Sequence, residues 1–137
     1  MAAPSVHKLA AWATDRMVGE EYFLPAERLL AGNPKQTVWM HYSDGSGKFM
    51  AGIWHSERGR WRILYTEEEY CQVLEGVSVI TDHAGVAVTV RAGEEFVIPS
   101  GFVGTWDVVE PTRKRFVIYE PGTPNPGASS GASARRT

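Results

Sequence analysis

An all-β fold in a single domain is what this sequence predicts, and three observations predict it. About nine short runs rich in β-branched and aromatic residues follow one another. Turn signals part them at close spacing, among them Asp44-Gly45-Ser46-Gly47, Glu57-Arg58-Gly59-Arg60 and Asp82-His83-Ala84-Gly85. A length of 137 residues suits one domain rather than two. Strands at this spacing imply a sandwich or a barrel.

In order along the chain, residues 1–20 form an N-terminal arm in which Val6, Leu9, Ala10 and Ala13 fall at helical spacing and permit a short amphipathic helix. Residues 21–120 carry the barrel. Within it, 24–32 (LPAERLLAG) has helical character, with Pro25 near its start and Gly32 near its end. Strands follow at 37–43, 48–56 and 60–66, then in YCQVLEG and VSVITD. The turn at 82–85 makes a hairpin into VAVTVRAG, and EFVIPSG, VGTWDVVEP and KRFVIYE complete the series. Residues 121–137 are Pro, Gly, Ser and Ala-rich with almost nothing large and apolar, a composition that predicts a disordered tail.

Composition narrows the partners. The 14 basic residues against 16 acidic ones give a net charge of −2, with no general attraction to nucleic acid or to an anionic membrane. Arg58, Arg60 and Arg62 around Trp61, and the run 112–115 (TRKR), suggest single-strand binding only superficially, because the first cluster flanks a turn. Cys71 is the single cysteine, which excludes an intramolecular disulfide framework and predicts a reducing, cytoplasmic setting. No segment reads as a secretory signal or as a membrane span.

The order EYCQVLEG, hairpin, GEEFVIPSGFVGTW resembles the two motifs of the cupin superfamily. More narrowly, GIWHSERGRWRILYTEEEYCQVLEG with VIPSGFVGTWDVVEPTRKRFVIYE is similar to small single-barrel cupins of the ureidoglycine aminohydrolase-like group. The resemblance covers roughly residues 22–120 and implies a jelly-roll barrel, with pairing through its sheets as a homodimer. In many cupins the first motif carries His-x-His and a glutamate seven residues before the closing glycine, and the second carries a third histidine. Counting from Gly76, Gly93, Pro99 and Gly101, the glutamate is Glu69, while the three histidine positions fall on Arg62, Leu64 and Gly104.

With those imidazoles missing, no metal or other cofactor is expected, since a transition metal normally needs three or more protein donors. His41, His55, His83, Glu57 and Asp107 are the residues from which a different site would have to be rebuilt. The expected polar site is instead an inward Arg62–Glu69 pair beside Trp106, with Leu64, Gly104 and Cys71 around it. Glu69 is the candidate acid or base, and Arg62 the clamp for a carboxylate. The same pair also reads as a structural ion pair that binds nothing. Trp39, Trp54 and Trp61 read as core, and Cys71 as a buried thiol. Three functions remain open: an enzyme acting on a small carboxylate or amine-bearing metabolite, a barrel that binds one, and a barrel used for dimerisation or partner binding.

Overall fold

The structure is a computed structural model that describes residues 3–9 and 18–122. Nine strands form one curled sheet: β1 (Glu20–Tyr22), β2 (Leu29–Ala31), β3 (Gln36–Ser43), β4 (Phe49–Ser56), β5 (Gly59–Leu64), β6 (Glu68–Asp82), β7 (Ala87–Arg91), β8 (Glu95–Ile98) and β9 (Val103–Tyr119). All pairings are antiparallel. The result is the strand-rich, barrel-like architecture that the sequence predicts.

Two predicted strand pairs are in fact single long strands. YCQVLEG and VSVITD fuse into β6, and VGTWDVVEP and KRFVIYE fuse into β9. Gly76 and Pro111 mark where both bend. Gly76 has φ +90°, and a Cβ there would collide with the Pro111 carbonyl, so only glycine lets the two strands lie this close. The β6–β9 register shifts between Val73 and Ser78. The bulge also reverses which residues of β6 face inward: Glu69, Cys71 and Val73 before it, Ser78 and Ile80 after it.

β9 therefore joins the two halves of the barrel. Its first half lies between β5 and the end of β6, and its second half between β4 and the start of β6. On the remaining side of β6, β8 pairs with its first half and β7 with its second. Apolar side chains of alternate positions fill the interior, with Met50, Trp54, Trp61, Trp106, Phe116 and Ile118 wholly or almost wholly buried.

The helix expected over 24–32 is a single 3-10 turn, Ala26–Arg28, followed at once by β2. Leu29 and Ala31 pair with β5, so sheet hydrogen bonds outweigh the local helical preference. The helix considered for the N-terminal arm rests on Ala10 and Ala13, which lie outside the described residues; 3–9 form neither helix nor strand. The tail from 123 onward also lies outside them. No helix among the described residues is long and apolar enough to cross a membrane.

Candidate functional site

The register sets a lysine among tryptophans. Lys114 on β9 lies opposite Trp54 of β4 on one side and Val73 of β6 on the other. Earlier on β9, across the bend at Pro111, Trp106 pairs with Trp61 of β5. The Lys114 ammonium sits 4.4 Å from the Trp106 ring centre and 4.8 Å from that of Trp54, within the range of cation–π attraction. Its Nζ donates to Glu69 Oε1 at 3.1 Å, and both side chains are 0% exposed. Tyr65, just beyond β5, donates its hydroxyl to the same oxygen at 2.7 Å. Cys71, two residues along β6 from Glu69, is buried with them.

Two of the three tryptophans are fully satisfied. Trp106 Nε1 donates to Ser78 Oγ at 3.1 Å, Ser78 and Thr112 share a hydroxyl contact of 2.7 Å, and Thr112 donates to the Glu110 carbonyl. Trp54 Nε1 donates to Gln36 Oε1, whose amide donates to Ser56 Oγ, which in turn donates to the Glu57 carbonyl. Each relay ends on backbone. Two groups break the pattern: Glu69 Oε2 and Trp61 Nε1 are buried and have no hydrogen-bond partner among the described residues. Unpaired buried polar atoms are uncommon and costly.

Burial pushes the Tyr65 phenol well above its usual range, and the neighbouring Glu69 charge adds to the rise. It remains a protonated donor. Burial likewise raises the Cys71 thiol well above its ordinary value; Glu69 reinforces the shift and Lys114 opposes it. Cys71 is thus a thiol in the wall of the site rather than a thiolate nucleophile.

The predicted Arg62 and Leu64 face the other way. Burial alternates along β5 so that Trp61 and Ile63 are inward, with Tyr65 continuing the series, while Arg62 and Leu64 are exposed. Arg62 donates to the Glu27 carbonyl on the outside of the barrel. The expected count left four residues between the second ligand position and Glu69. The chain instead turns so that the residue four before Glu69 points inward, and a one-residue slip exchanges the faces of a strand. Glu69, Cys71 and Trp106 are inward as expected. Gly104 pairs with Ile63 of β5 and Asp82 of β6, and a Cβ at that position would overlap the Thr81 carbonyl oxygen.

The residue that sequence reasoning missed is Lys114. In KRFVIYE the buried positions are Lys114, Phe116 and Ile118, alternating with Arg113, Arg115 and Val117. A lysine in the apolar phase of a strand was the available signal.

These residues do not fit the metal site that the fold family implies. The inward positions before Glu69 hold Ile63 and Tyr65, Gly104 has no room for a side chain, and the Lys114 ammonium already sits on the one carboxylate. Nor does an alternative set gather elsewhere: no group of three or more His, Cys, Asp or Glu that could hold a metal occurs among the described residues. His41 lies beside Arg115, with 3.5 Å between their nitrogens, and His55 is opposite Arg113 in the β4–β9 register. Glu57 accepts from the Lys35 backbone N–H. Burial holds both imidazoles below their ordinary pKa, with the neighbouring arginines adding to it.

Comparison with known proteins agrees with the fold. The model of the EutQ-like cupin domain matches residues 43–116, more than half of the chain. A protein of unknown function from Pseudomonas syringae pv. tomato, of the DUF861 family, is 16% identical with a TM-score of 0.68, over 74% of this chain and 44% of that one. The EutQ protein of Clostridium difficile is 19% identical with a TM-score of 0.58, over 66% of each chain. The ectoine synthase of P. lautus is 14% identical with a TM-score of 0.55, over 64% of this chain and 66% of that one. The matches thus span less than two thirds of the length of any of these three structures, and at such identities they speak for the fold alone. No curated protein matches the sequence. The family match over more than half its length, carried by a curled antiparallel sheet, makes this chain a member of the EutQ-like cupin domain family.

Proposed function

We propose that the barrel binds a small polar metabolite beside the Lys114–Glu69 pair. The observation that carries this reading is the unpaired Glu69 Oε2, inside an interior where two tryptophan relays are satisfied through to backbone. A buried acceptor of this kind is most simply used by a donor that is not part of the chain. Lys114 takes the place expected of Arg62 as the internal cation. In the catalytic form of the reading, Glu69 exchanges a proton with the bound head group while Tyr65 and Lys114 hold its carboxylate. The narrower likeness to ureidoglycine aminohydrolase-like barrels brings no chemistry with it, because fold relatives host unrelated functions.

The test is a thermal-shift screen of small metabolites on the wild type and on the double variant Lys114→Met/Glu69→Gln. A ligand at about a hundred times its Kd adds about 2.7 kcal/mol to stability, which raises Tm by several degrees. We expect at least one such ligand, silent on the double variant. The zero exposure of Lys114 and Glu69 favours a second reading, in which the pair only organises the core. A broad screen without a stabilising compound would establish that second reading instead.

We further propose that the chain pairs as a homodimer. Among the described residues β7 and β8 each pair only with β6, and open edges invite association unless covered. Light scattering at micromolar concentration should give twice the 15.1 kDa of one chain; the single-chain mass would refute it.

A further inference from the structure

The outer face of the sheet carries an apolar band that the core does not use. Tyr42 of β3 pairs with Ala51 of β4, Ala51 with Val117 of β9, Val117 with Tyr70 of β6, and Tyr70 with Val97 of β8. Direct cross-strand partners share a face, and the chain neighbours Met50, Cys71, Phe116 and Ile98 are buried inside. The band is therefore one row across five adjacent strands, on the side away from the core. Phe49 and its partner Tyr119 widen it by a second row. Phe49, Tyr70, Val97 and Tyr119 are between 38% and 61% exposed. Single exposed apolar residues are ordinary, whereas a contiguous patch marks an interaction surface. The N-terminal arm meets only the β3 end of the row, where the His7 ring lies edge-on to Tyr42 at 5.1 Å. A groove of about 370 Å³ stays open between Ser5, His7 and Leu9 of the arm and the residues from Tyr42 to Val117. Val6 of the arm is itself 98% exposed, so the arm does not cover the band.

We infer, on the homodimer reading above, that this band is its contact face, with a second copy of the chain seated on it about a two-fold axis that runs along the row. Five strands about 4.8 Å apart are about 24 Å across, and the 8 residues of β4 extend about 27 Å. A face of that size is what a standard interface, about 800 Å² of accessible surface per partner, requires. Charge complementarity selects the copy as occupant. On one side of the central row stand Ile53, Arg115 and Gln72, and on the other Phe49, Tyr119 and Glu68. A two-fold axis along the row keeps each strand over its equivalent and exchanges the flanking rows. Arg115 then lies over the copy's Tyr119, Gln72 over its Glu68, and Ile53 over its Phe49. These are a cation–π contact, a hydrogen bond to a carboxylate and an apolar contact, with no like charges opposed. The row also ends on Val97 of β8, which pairs only with β6 among the described residues, so the copy reaches an edge that invites association.

Sedimentation over a concentration series measures the dimer, with far-UV circular dichroism as the check on folding. Val97→Lys and Tyr119→Arg should each weaken association at least tenfold. The first opposes two like charges across the axis, and the second sets a positive charge over the copy's Arg115. Adding Arg115→Glu to Tyr119→Arg should restore the affinity, because opposite charges then meet. Val103→Lys, also at an exposed position but on the first half of β9 away from the band, should leave it unchanged. Cross-linking reads the same face without adding charge: a short bismaleimide should join Val97→Cys to its copy and should not join Val103→Cys, while Cys71 is buried. A dimer that survives both charge variants, an equal loss in Val103→Lys, or cross-linking no better at 97 than at 103 would each overturn this face while sparing the homodimer. Wild-type protein at the mass of one chain would overturn the homodimer as well and leave the band to a different protein.

Discussion

Lys114→Met alone is expected to lower the unfolding free energy by about 3–5 kcal/mol, whereas Lys114→Met combined with Glu69→Gln should return close to wild type. The single change leaves a carboxylate with no cation in an interior where its side chain is 0% exposed. Tyr65 still donates to Glu69 Oε1, but a phenol does not neutralise the charge. The change also removes an ammonium from the faces of Trp54 and Trp106, an attraction of about 2 kcal/mol when desolvated. Methionine keeps the volume, so no cavity contributes. The double variant discards both desolvation penalties at once, and for that reason its loss is smaller than either single loss. Urea unfolding of the four proteins gives the coupling directly. Singles that each stay within about 1 kcal/mol of wild type would show that water reaches the pair and that the site is not dry.

The same cluster shows what was legible in the sequence. Glu69 was placed inward by its seven-residue spacing from Gly76 in the motif of the resemblance, and the structure buries it completely. Trp106 was found because it shares strand parity with Gly104, and the structure buries it completely. Arg62 was misplaced because parity cannot be carried across the chain reversal between β5 and β6, where Tyr65, Thr66 and Glu67 change direction. Within β5 the alternation of Trp61 and Ile63 with Arg62 and Leu64 did hold the answer: the large apolar pair marks the inner face. Lys114 was hidden differently. Its neighbours Arg113 and Arg115 are basic too, so composition alone made a solvated cluster, although the two arginines alternate with it on the outer face.

The fold was easier to read than its long strands. Turn chemistry identified the hairpin at 82–85, whose Asp82 carboxylate accepts from the Ala84 and Val86 backbone N–H groups. The same rules cut β6 at Gly76 and β9 at Pro111, since glycine and proline ordinarily end strands. Here they face each other across the ladder, and the glycine makes room for the proline carbonyl. Only the pairing, which is a property of two distant segments, turns two breaks into one shared bend. The helix expected over 24–32 failed for a related reason: its pairing with β5 is non-local.

Restoring the third histidine by Gly104→His should not create a metal centre and should destabilise the barrel by about 3 kcal/mol or more. The obstacle lies at Cβ. A carbon added to Gly104 falls on the Thr81 carbonyl oxygen, and the far side is closed by the Phe102 ring. Thr81 is held in the ladder on both sides, by Ala87 of β7 and Thr105 of β9, so its carbonyl has little freedom to retreat. Gly104→Ala should therefore cost nearly as much as Gly104→His, because both meet the same contact first. Even an imidazole that found space would leave the Glu69 oxygen that a metal would need held by the Lys114 ammonium. Urea midpoints of the two variants, with elemental analysis after dialysis against zinc and nickel, decide the matter. A Gly104→His protein as stable as wild type and holding one metal per chain would overturn both the steric and the electrostatic account.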